Sequence, residues 1–231
     1  MVRSFLNWSS GKDSALSLWM VRLLGHLSVD RLLTTINEER QRVSMHGLPQ
    51  TLLEAQAEAV GLPLTRIDLP EQPDMITYRN RVQEGMHRLV REGYSDTVFG
   101  DIFLEDLRAY RKELLAPTGL RLHFPLWKKD TRSLADTFIQ EGFRAIVICV
   151  DAQVLPAHFC GRYFDTSFLA DLPESVDPCG ENGEFHTFCF DGPIFTHPVA
   201  FTSGERVFRP YPPPVGQDPT NYGFWYLDLR P

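Results

Sequence analysis

The first half of the chain alternates between short apolar runs and longer segments in which apolar residues recur every three or four positions. The first pattern is typical of strands and the second of helices. Strands are predicted at 2–8, 30–36, 64–69, 97–99 and 122–126, and helices at 14–27, 48–60, 75–91 and 104–115. This alternation predicts an α/β fold, with a doubly wound parallel sheet covered by helices on both faces.

The second half of the chain changes character after about residue 128. A helix is predicted at 131–141 and a strongly apolar strand at 145–150, after which proline, glycine and aromatic residues dominate. We therefore predict an α/β domain at 1–128 and a smaller α+β domain at 129–231. The proline-rich residues from about 206 onward are predicted to form an extended tail on the surface.

Composition and charge narrow the class of protein. The 231 residues are 43% hydrophobic and 23% charged, as in ordinary globular proteins, and their formal charge is −7. This acidic balance disfavours nucleic acid as a partner. The sequence has no apolar run of about 20 residues, and its four cysteines form no Cys-x-x-Cys pair. We therefore expect a cytoplasmic protein with reduced thiols and no membrane segment, whose oligomeric state stays open.

The clearest candidate for chemistry lies between the first predicted strand and the first predicted helix. This phosphate loop consists of Ser9, Ser10, Gly11, Lys12, Asp13 and Ser14. Free N–H groups and the dipole at a helix start attract phosphate, and Lys12 adds a positive charge. Asp13 either caps the helix or holds Mg²⁺ against the phosphates. The spacing is neither that of a Walker A loop nor that of a dinucleotide fingerprint, and a plain Ser/Gly turn is the structural alternative.

Four segments of the chain resemble a known family. They are residues 9–14, 44–47 with 56–64, 99–102, and 177–187, the last of which reads Asp-Pro-Cys-Gly-Glu-Asn-Gly-Glu-Phe-His-Thr. In the same order, they are similar to the diphthine–ammonia ligases, a family of N-type ATP pyrophosphatases that completes diphthamide on elongation factor 2. The resemblance implies a first domain of the adenine-nucleotide α-hydrolase (HUP, Rossmann-like) type.

The resemblance also implies a reaction. A substrate carboxylate would attack the α-phosphate of ATP to give an acyl-adenylate and pyrophosphate, and ammonia would then displace AMP to leave an amide. Lys12 and Mg²⁺ would stabilise the departing pyrophosphate. Ser10 stands where the family has a glycine, which suggests a differently shaped loop. Residues 103–111 depart from the eukaryotic pattern and indicate a bacterial branch, so the acceptor is either a modified protein, such as elongation factor 2, or a small molecule.

Further candidate residues lie just before the second and fourth predicted helices and within the fourth. His46, Gly100 and Asp101 are predicted to lie near the nucleotide, with Asp101 on Mg²⁺ or the ribose. A surface loop histidine and a helix cap are the structural alternatives. Arg108 and Arg111 share one helical face, where they would clamp phosphate or a substrate carboxylate, or form a solvated edge.

The densest polar cluster of the second half lies in a glycine-rich stretch that favours a tight loop. Glu181, Glu184 and His186 are predicted as catalytic residues that bind ammonium and take its proton, and Asn182 as a contact to the substrate. The same three ionisable side chains would also suit a metal ion. A satisfied polar turn is the structural alternative.

The sequence therefore predicts an ATP-dependent amide ligase that uses free ammonia. Two other interpretations stay open: a related adenylating enzyme that acts on RNA, and a non-catalytic sensor of ATP or AMP. The acidic charge weighs against the first, and the polar cluster at 181–186, which a sensor does not need, weighs against the second.

Overall fold

A computed structural model describes residues 2–43, 47–211 and 222–231. His46, which is predicted near the nucleotide, lies outside the described residues. Within them, the helices are α1 (Lys12–Leu24), α2 (Gln50–Val60), α3 (Met75–Arg91), α4 (Glu105–Leu115), α5 (Thr131–Gln140) and α6 (Thr166–Asp171). The strands are β1 (Val2–Asn7), β2 (Leu27–Asn37), β3 (Arg42–Val43), β4 (Leu64–Leu69), β5 (Asp96–Val98), β6 (Arg121–His123), β7 (Arg144–Asp151), β8 (Phe185–Asp191), β9 (Thr202–Pro210) and β10 (Gly223–Arg230).

The first sheet is mostly parallel and doubly wound, which confirms the predicted fold class. Parallel pairing joins β4 to β2, β2 to β1, β1 to β5 and β5 to β6. The short β3 pairs antiparallel with the end of β2. The chain therefore builds the sheet outward from β1 in one direction and then continues on the other side of β1. The strand order reverses between β1 and β5, which is where ligands bind in sheets of this kind.

The helix ends follow the chemistry of the residues that flank them. Gly25 and Gly61 end α1 and α2 in the left-handed conformation, with φ of 69° and 74°. At the start of α3, the carboxylate of Asp74 accepts the N–H of Thr77 at 2.7 Å. These local signals explain why the ends of α1, α2 and α3 lie within three residues of the predicted ones.

The second sheet is antiparallel, with the strand order β8-β7-β10-β9. The prediction of an extended surface tail from about 206 is therefore wrong for the described residues. Strands β9 and β10 pair along most of their length, and Phe208 packs on Trp225 with ring centroids 5.2 Å apart. Proline cannot donate to a sheet ladder, and the prolines that suggested a tail lie at the end of β9 and beyond it.

One apolar core connects the two sheets. It runs from Leu18 and Val21 of α1 to Val147 of β7 and Phe188 of β8, all of them almost completely buried. A smaller core lies beneath α3 and α4 on the other face of the first sheet. Strand β8 packs against α1, so the second sheet reaches the beginning of the phosphate loop. No helix in the described parts of the chain has the length and hydropathy to cross a bilayer.

A buried carboxylate joins β5 to β6. Asp96 accepts hydrogen bonds from Nε and Nη2 of Arg121, at 3.0 and 2.7 Å, and from the hydroxyl of Ser95 at 2.5 Å. Nε2 of His123 lies 2.6 Å from the same carboxylate. Burial tends to raise the pKa of Asp96, but these hydrogen bonds lower it to about 2. The carboxylate is therefore ionised at any ordinary pH.

Candidate active site

The candidate site is a cavity of about 430 Å³ at the carboxyl ends of the strands where the strand order reverses. Its walls are the phosphate loop, residues 33–35 of β2, residues 99–101 after β5, helices α3 and α4, and part of segment 180–187. The predicted site residues that line it are Ser9, Gly11, Lys12, Asp13, Ser14, Gly100, Asp101, Arg111, Glu181 and His186. The predicted residues Ser10, Arg108, Asn182 and Glu184 do not contribute to its walls.

Ser10 takes the backbone conformation that a glycine would adopt. Its φ of 69° lies in the left-handed region, and its side chain is completely buried. A residue with a Cβ pays about 1–2 kcal/mol for this conformation. The Ser10 carbonyl accepts hydrogen bonds from the N–H of Cys189 and from Nε2 of Gln56, both at 2.9 Å. Ser10 thus adopts a left-handed conformation that a glycine would adopt without this cost.

Short polar side chains connect the rest of the phosphate loop. The Ser14 hydroxyl donates to the Gly11 carbonyl at 2.9 Å and lies 3.2 Å from the Ser9 hydroxyl. The N–H of Lys12 donates to Oγ1 of Thr187 on β8 at 3.0 Å. The loop is thus held both by its own hydroxyls and by the second sheet.

Gly100 allows the end of β5 to approach the first turn of α1. A Cβ at this position would lie 3.2 Å from the carbonyl carbon of Asp13 and 3.2 Å from the amide nitrogen of Ser14. These are backbone atoms, so they can give way only if the loop itself moves. The glycine therefore serves the packing of the phosphate loop against β5.

The buried Lys12 and the partly exposed Asp13 form an ion pair beside the cavity. Nζ of Lys12 lies 2.7 and 2.8 Å from the two carboxylate oxygens, and it also donates to the carbonyl of Cys179. Burial lowers the pKa of Lys12, but the neighbouring carboxylate outweighs it, so the pKa is raised and the ammonium stays charged. Burial also raises the pKa of Asp13, against the opposing charge of Lys12.

The donor set for a metal ion at the phosphate loop is small. The described residues contain no group of three or more His, Cys, Asp and Glu side chains placed to hold one. Mg²⁺ often takes only one or two carboxylates from a protein and the rest of its ligands from phosphates and water. The carboxylate of Asp13 on the cavity wall fits that pattern.

Glu181 connects segment 177–184 to the segment that follows β5. Its Oε1 accepts the N–H groups of Ile102 and Phe103 at 2.7 and 3.3 Å. Burial raises the pKa of Glu181 to about 7, although the hydrogen bond from Ile102 opposes the shift. Near neutral pH the side chain is therefore present in both protonation states.

Glu184 and Asn182 hold a turn together outside the cavity. Oε1 of Glu184 accepts the N–H of Asp177 at 3.1 Å and Nδ2 of Asn182 at 2.9 Å. The Asp177 carboxylate in turn accepts the N–H groups of Cys179 and Glu181, at 2.9 and 3.2 Å. For Glu184 and Asn182, the structure has the contacts of a polar turn.

The sequence predicts His186 in the glycine-rich loop with Glu181, but the residue lies on β8. It lines the cavity. Burial and the charge of Lys12 lower its pKa to about 4. The imidazole is therefore neutral near pH 7.

The two arginines of α4 have different surroundings. Nε and Nη2 of Arg111 donate to the two carboxylate oxygens of Asp101, at 2.5 and 2.9 Å, and the guanidinium lies 4.5 Å from the ring centroid of Phe99. Arg108 instead lies over the ring of Trp127 at 4.3 Å. The two arginines of the predicted clamp therefore have separate positions. Arg111 lies on the cavity wall, and Arg108 stacks on Trp127 outside it.

Glu181→Gln is expected to make the free energy of unfolding less dependent on pH. Because burial raises the Glu181 pKa from 4.5 to about 7, the folded protein keeps a proton that the unfolded chain releases. This contribution to wild-type stability should therefore fall as the pH rises from about 4.5 to about 7, and the glutamine variant should lack it. Urea unfolding across that range measures both slopes, and equal slopes would contradict the assignment.

Comparisons with known proteins match two successive parts of the chain. A family model for the diphthamide synthase N-terminal domain matches residues 2–122, and a model for the diphthamide synthase C-terminal domain matches residues 130–210. The chain belongs to the diphthamide synthase family. The two matches leave residues 123–129 between them, and the boundary after residue 128 stays a prediction.

Several relatives are similar to this chain over most of its length. A diphthine–ammonia ligase of Danio rerio is 28% identical over 229 residues, which cover 87% of this chain and 87% of that protein. The Homo sapiens diphthine–ammonia ligase is 25% identical over 230 residues, covering 87% of this chain and 83% of that protein. The Schizosaccharomyces pombe diphthine–ammonia ligase is 25% identical over 219 residues, covering 86% of this chain and 36% of that protein. The chain is a ligase that forms carbon–nitrogen bonds.

Two buried polar residues that hold the phosphate loop are absent from the predicted site. Gln56 donates to the carbonyl of Ser10, and Thr187 accepts the N–H of Lys12. The sequence carried one signal for Gln56, because it is a polar residue on the apolar face of a helix, and buried polar side chains are almost always hydrogen-bonded. Thr187 has no comparable signal, since threonine is common in strands.

Proposed function

We propose that the protein is an ATP-dependent amide ligase that joins ammonia to a substrate carboxylate and converts ATP to AMP and pyrophosphate. The observation that carries this proposal is a helix start at the reversal of strand order, with the buried and charged Lys12 in its first turn. Both features favour phosphate. The names of the relatives, which are diphthine–ammonia ligases, support ammonia as the second substrate.

In the first proposed step, a carboxylate oxygen of the acceptor attacks the α-phosphorus of ATP. The bond from that phosphorus to the bridging oxygen breaks, and pyrophosphate leaves with the electron pair. The hydroxyls and N–H groups of the phosphate loop are proposed to hold the outer phosphates, while Lys12 stabilises the charge that grows on the leaving group. Asp13 is proposed to hold Mg²⁺, which would neutralise phosphate charge when bound.

In the second proposed step, ammonia attacks the carbonyl carbon of the acyl-adenylate, and the bond to AMP breaks. The nitrogen loses a proton, which requires a base. We assign this role to Glu181, since it lines the cavity and its pKa of about 7 suits proton transfer at neutral pH. His186 is proposed to contact ammonia as a neutral imidazole.

Other predicted residues receive supporting roles in this proposal. Arg111 would bind the acceptor carboxylate, with Asp101 fixing the orientation of its guanidinium through two hydrogen bonds. Glu184 and Asn182 would support the turn that presents Glu181. We place the activity in the cytoplasm, in keeping with four buried, free cysteines.

Ammonium is expected to stimulate the release of AMP and pyrophosphate from ATP when a suitable acceptor is present. The assay compares diphthine-bearing elongation factor 2 with small carboxylates and with RNA, each with and without ammonium. Formation of ADP and phosphate instead of AMP would contradict the proposal. Turnover that responds to RNA and ignores ammonium would favour an RNA-adenylating enzyme.

Glu181→Gln is expected to separate the two proposed steps. The variant keeps the hydrogen-bond acceptor for the N–H of Ile102 but cannot take a proton. Exchange of labelled pyrophosphate into ATP should persist, whereas ammonium-dependent amide formation should fall by about 100-fold or more. An equal loss of both activities would show that Glu181 is not the base of the second step.

A further inference from the structure

Gln56 contacts the phosphate loop and the second sheet with one side-chain amide. It lies on α2 and is completely buried. Its Nε2 donates to the carbonyl of Ser10 at 2.9 Å and to the carbonyl of Cys189 on β8. Its Oε1 accepts the indole N–H of Trp8 at 2.7 Å. Because an indole nitrogen can only donate, the amide oxygen must face Trp8 and the amide nitrogen must face the two carbonyls.

The carbonyl that Gln56 holds belongs to the one strained residue of the phosphate loop. Ser10 has a φ of 69°, and its buried hydroxyl makes no hydrogen bond with the described residues. A left-handed conformation at a non-glycine residue persists only where the surroundings over-determine it. Here two donors converge on one oxygen, since the N–H of Cys189 also reaches the Ser10 carbonyl at 2.9 Å.

We propose that Gln56 is a positioning residue for the phosphate loop. By holding the Ser10 carbonyl, it keeps Ser10 in the left-handed conformation and so sets the direction in which the Ser10–Gly11 peptide group presents the N–H of Gly11. Gln56 does not line the cavity, so it acts on a bound phosphate only through the loop. This inference rests on the proposed function insofar as the loop is taken to bind the phosphates of ATP.

A purely structural role for Gln56 would have a different signature. If the buried amide only stabilised the fold, its loss would lower the free energy of unfolding but leave the ATP affinity of the folded protein unchanged. This would hold whatever residue stood at position 10. A positioning role makes Gln56 and Ser10 interdependent, because a glycine adopts a positive φ without steric cost and does not need to be held. Substitution of Ser10 with glycine should therefore compensate for the loss of Gln56.

The test is a double-mutant cycle of Gln56→Met and Ser10→Gly, with Gln83→Met as the matched control. Gln83 is a half-buried glutamine on α3 whose Nε2 donates to the Leu114 carbonyl at 2.8 Å. Binding of Mg²⁺-ATP is measured by calorimetry, and stability by urea unfolding. Gln56→Met should weaken binding by about tenfold, and Gln83→Met by less than about twofold. The gain from Ser10→Gly should be at least about threefold larger in the Gln56→Met background than in the wild type.

Two results would overturn the positioning role. One is equal weakening by Gln56→Met and Gln83→Met, and the other is an identical effect of Ser10→Gly in both backgrounds. The two substitutions could instead be coupled in their effect on the free energy of unfolding while ATP affinity never changes. In that case Gln56 does hold Ser10 in place, and the assignment of ATP to this loop is wrong. Gln56→Asn, whose amide is one methylene too short to reach both carbonyls, gives the same comparison if the methionine variant does not fold.

Discussion

Lys12→Met is expected to lower the rate of AMP formation by at least about 100-fold, because it removes the ammonium that would stabilise the leaving pyrophosphate. Lys12 is 3% exposed and forms an ion pair with Asp13, so its replacement also leaves the Asp13 carboxylate without this partner. Steady-state turnover of ATP measures the effect. Lys112→Met, on the exposed face of α4, is the control and should retain wild-type turnover.

The loss of activity can be separated from a loss of stability. Removal of one partner of a fully buried ion pair typically costs about 3–5 kcal/mol, and the cost here should be smaller because the Asp13 side chain is 30% exposed. Replacement of both partners by neutral groups is often tolerated. The double variant Lys12→Met/Asp13→Asn should therefore recover much of the free energy of unfolding and none of the turnover. Recovery of turnover in the double variant would show that the ammonium has no part in the chemistry.

Asp96→Asn is expected to reduce the free energy of unfolding by about 3 kcal/mol. The asparagine cannot accept both hydrogen bonds of Arg121 together with those of Ser95 and His123, and it places a donor among donors. Urea unfolding at neutral pH measures the change. Asp136→Asn is the matched control, because Asp136 forms an exposed pair with Arg132 at 3.2 Å, and such pairs contribute little.

The effect of Asp96→Asn should also depend on pH in a defined direction. The pKa of Asp96 is lowered in the folded protein from 3.8 to about 2, so its stabilising effect is complete above pH 3.8 and is lost as the pH falls toward 2. The difference in stability between wild type and variant should therefore shrink by about 2 kcal/mol across this window. A difference that stays constant on acidification would mean that the Asp96 carboxylate is not selectively stabilised by folding.

Local sequence signals were sufficient for the first domain but not for the second sheet. Helices α1, α2 and α3 have apolar residues at helical spacing and a glycine or an aspartate at one end, so each could be located without knowledge of its neighbours. Strands β9 and β10 could not, because their pairing is set by contacts between separate parts of the chain, and the prolines around residues 210–214 dominate the local pattern. Sheet propensity depends on such packing more than helix propensity does.

The same distinction explains which site residues the sequence located. The phosphate loop was identifiable because it lies between a strand and a helix, and Asp101 because it follows a strand end on the same rim. The direction of loop side chains has no periodicity, so Glu181 on the cavity wall could not be told from Glu184 beside it. Gln56 hydrogen-bonds a residue 46 positions away, and no local pattern reports such a contact.

The bonds between the phosphate loop and the second sheet bear on how this protein can be dissected. Ser10, Lys12 and Gln56 all use backbone or side-chain groups of residues 179–189 as hydrogen-bond partners. A fragment cut near residue 128 would keep the loop sequence but expose the apolar side of α1 and strip away those partners. A truncated fragment is therefore expected to aggregate and would not measure nucleotide chemistry. For the same reason, fused domains or inserted tags should be placed at surface loops distant from β8.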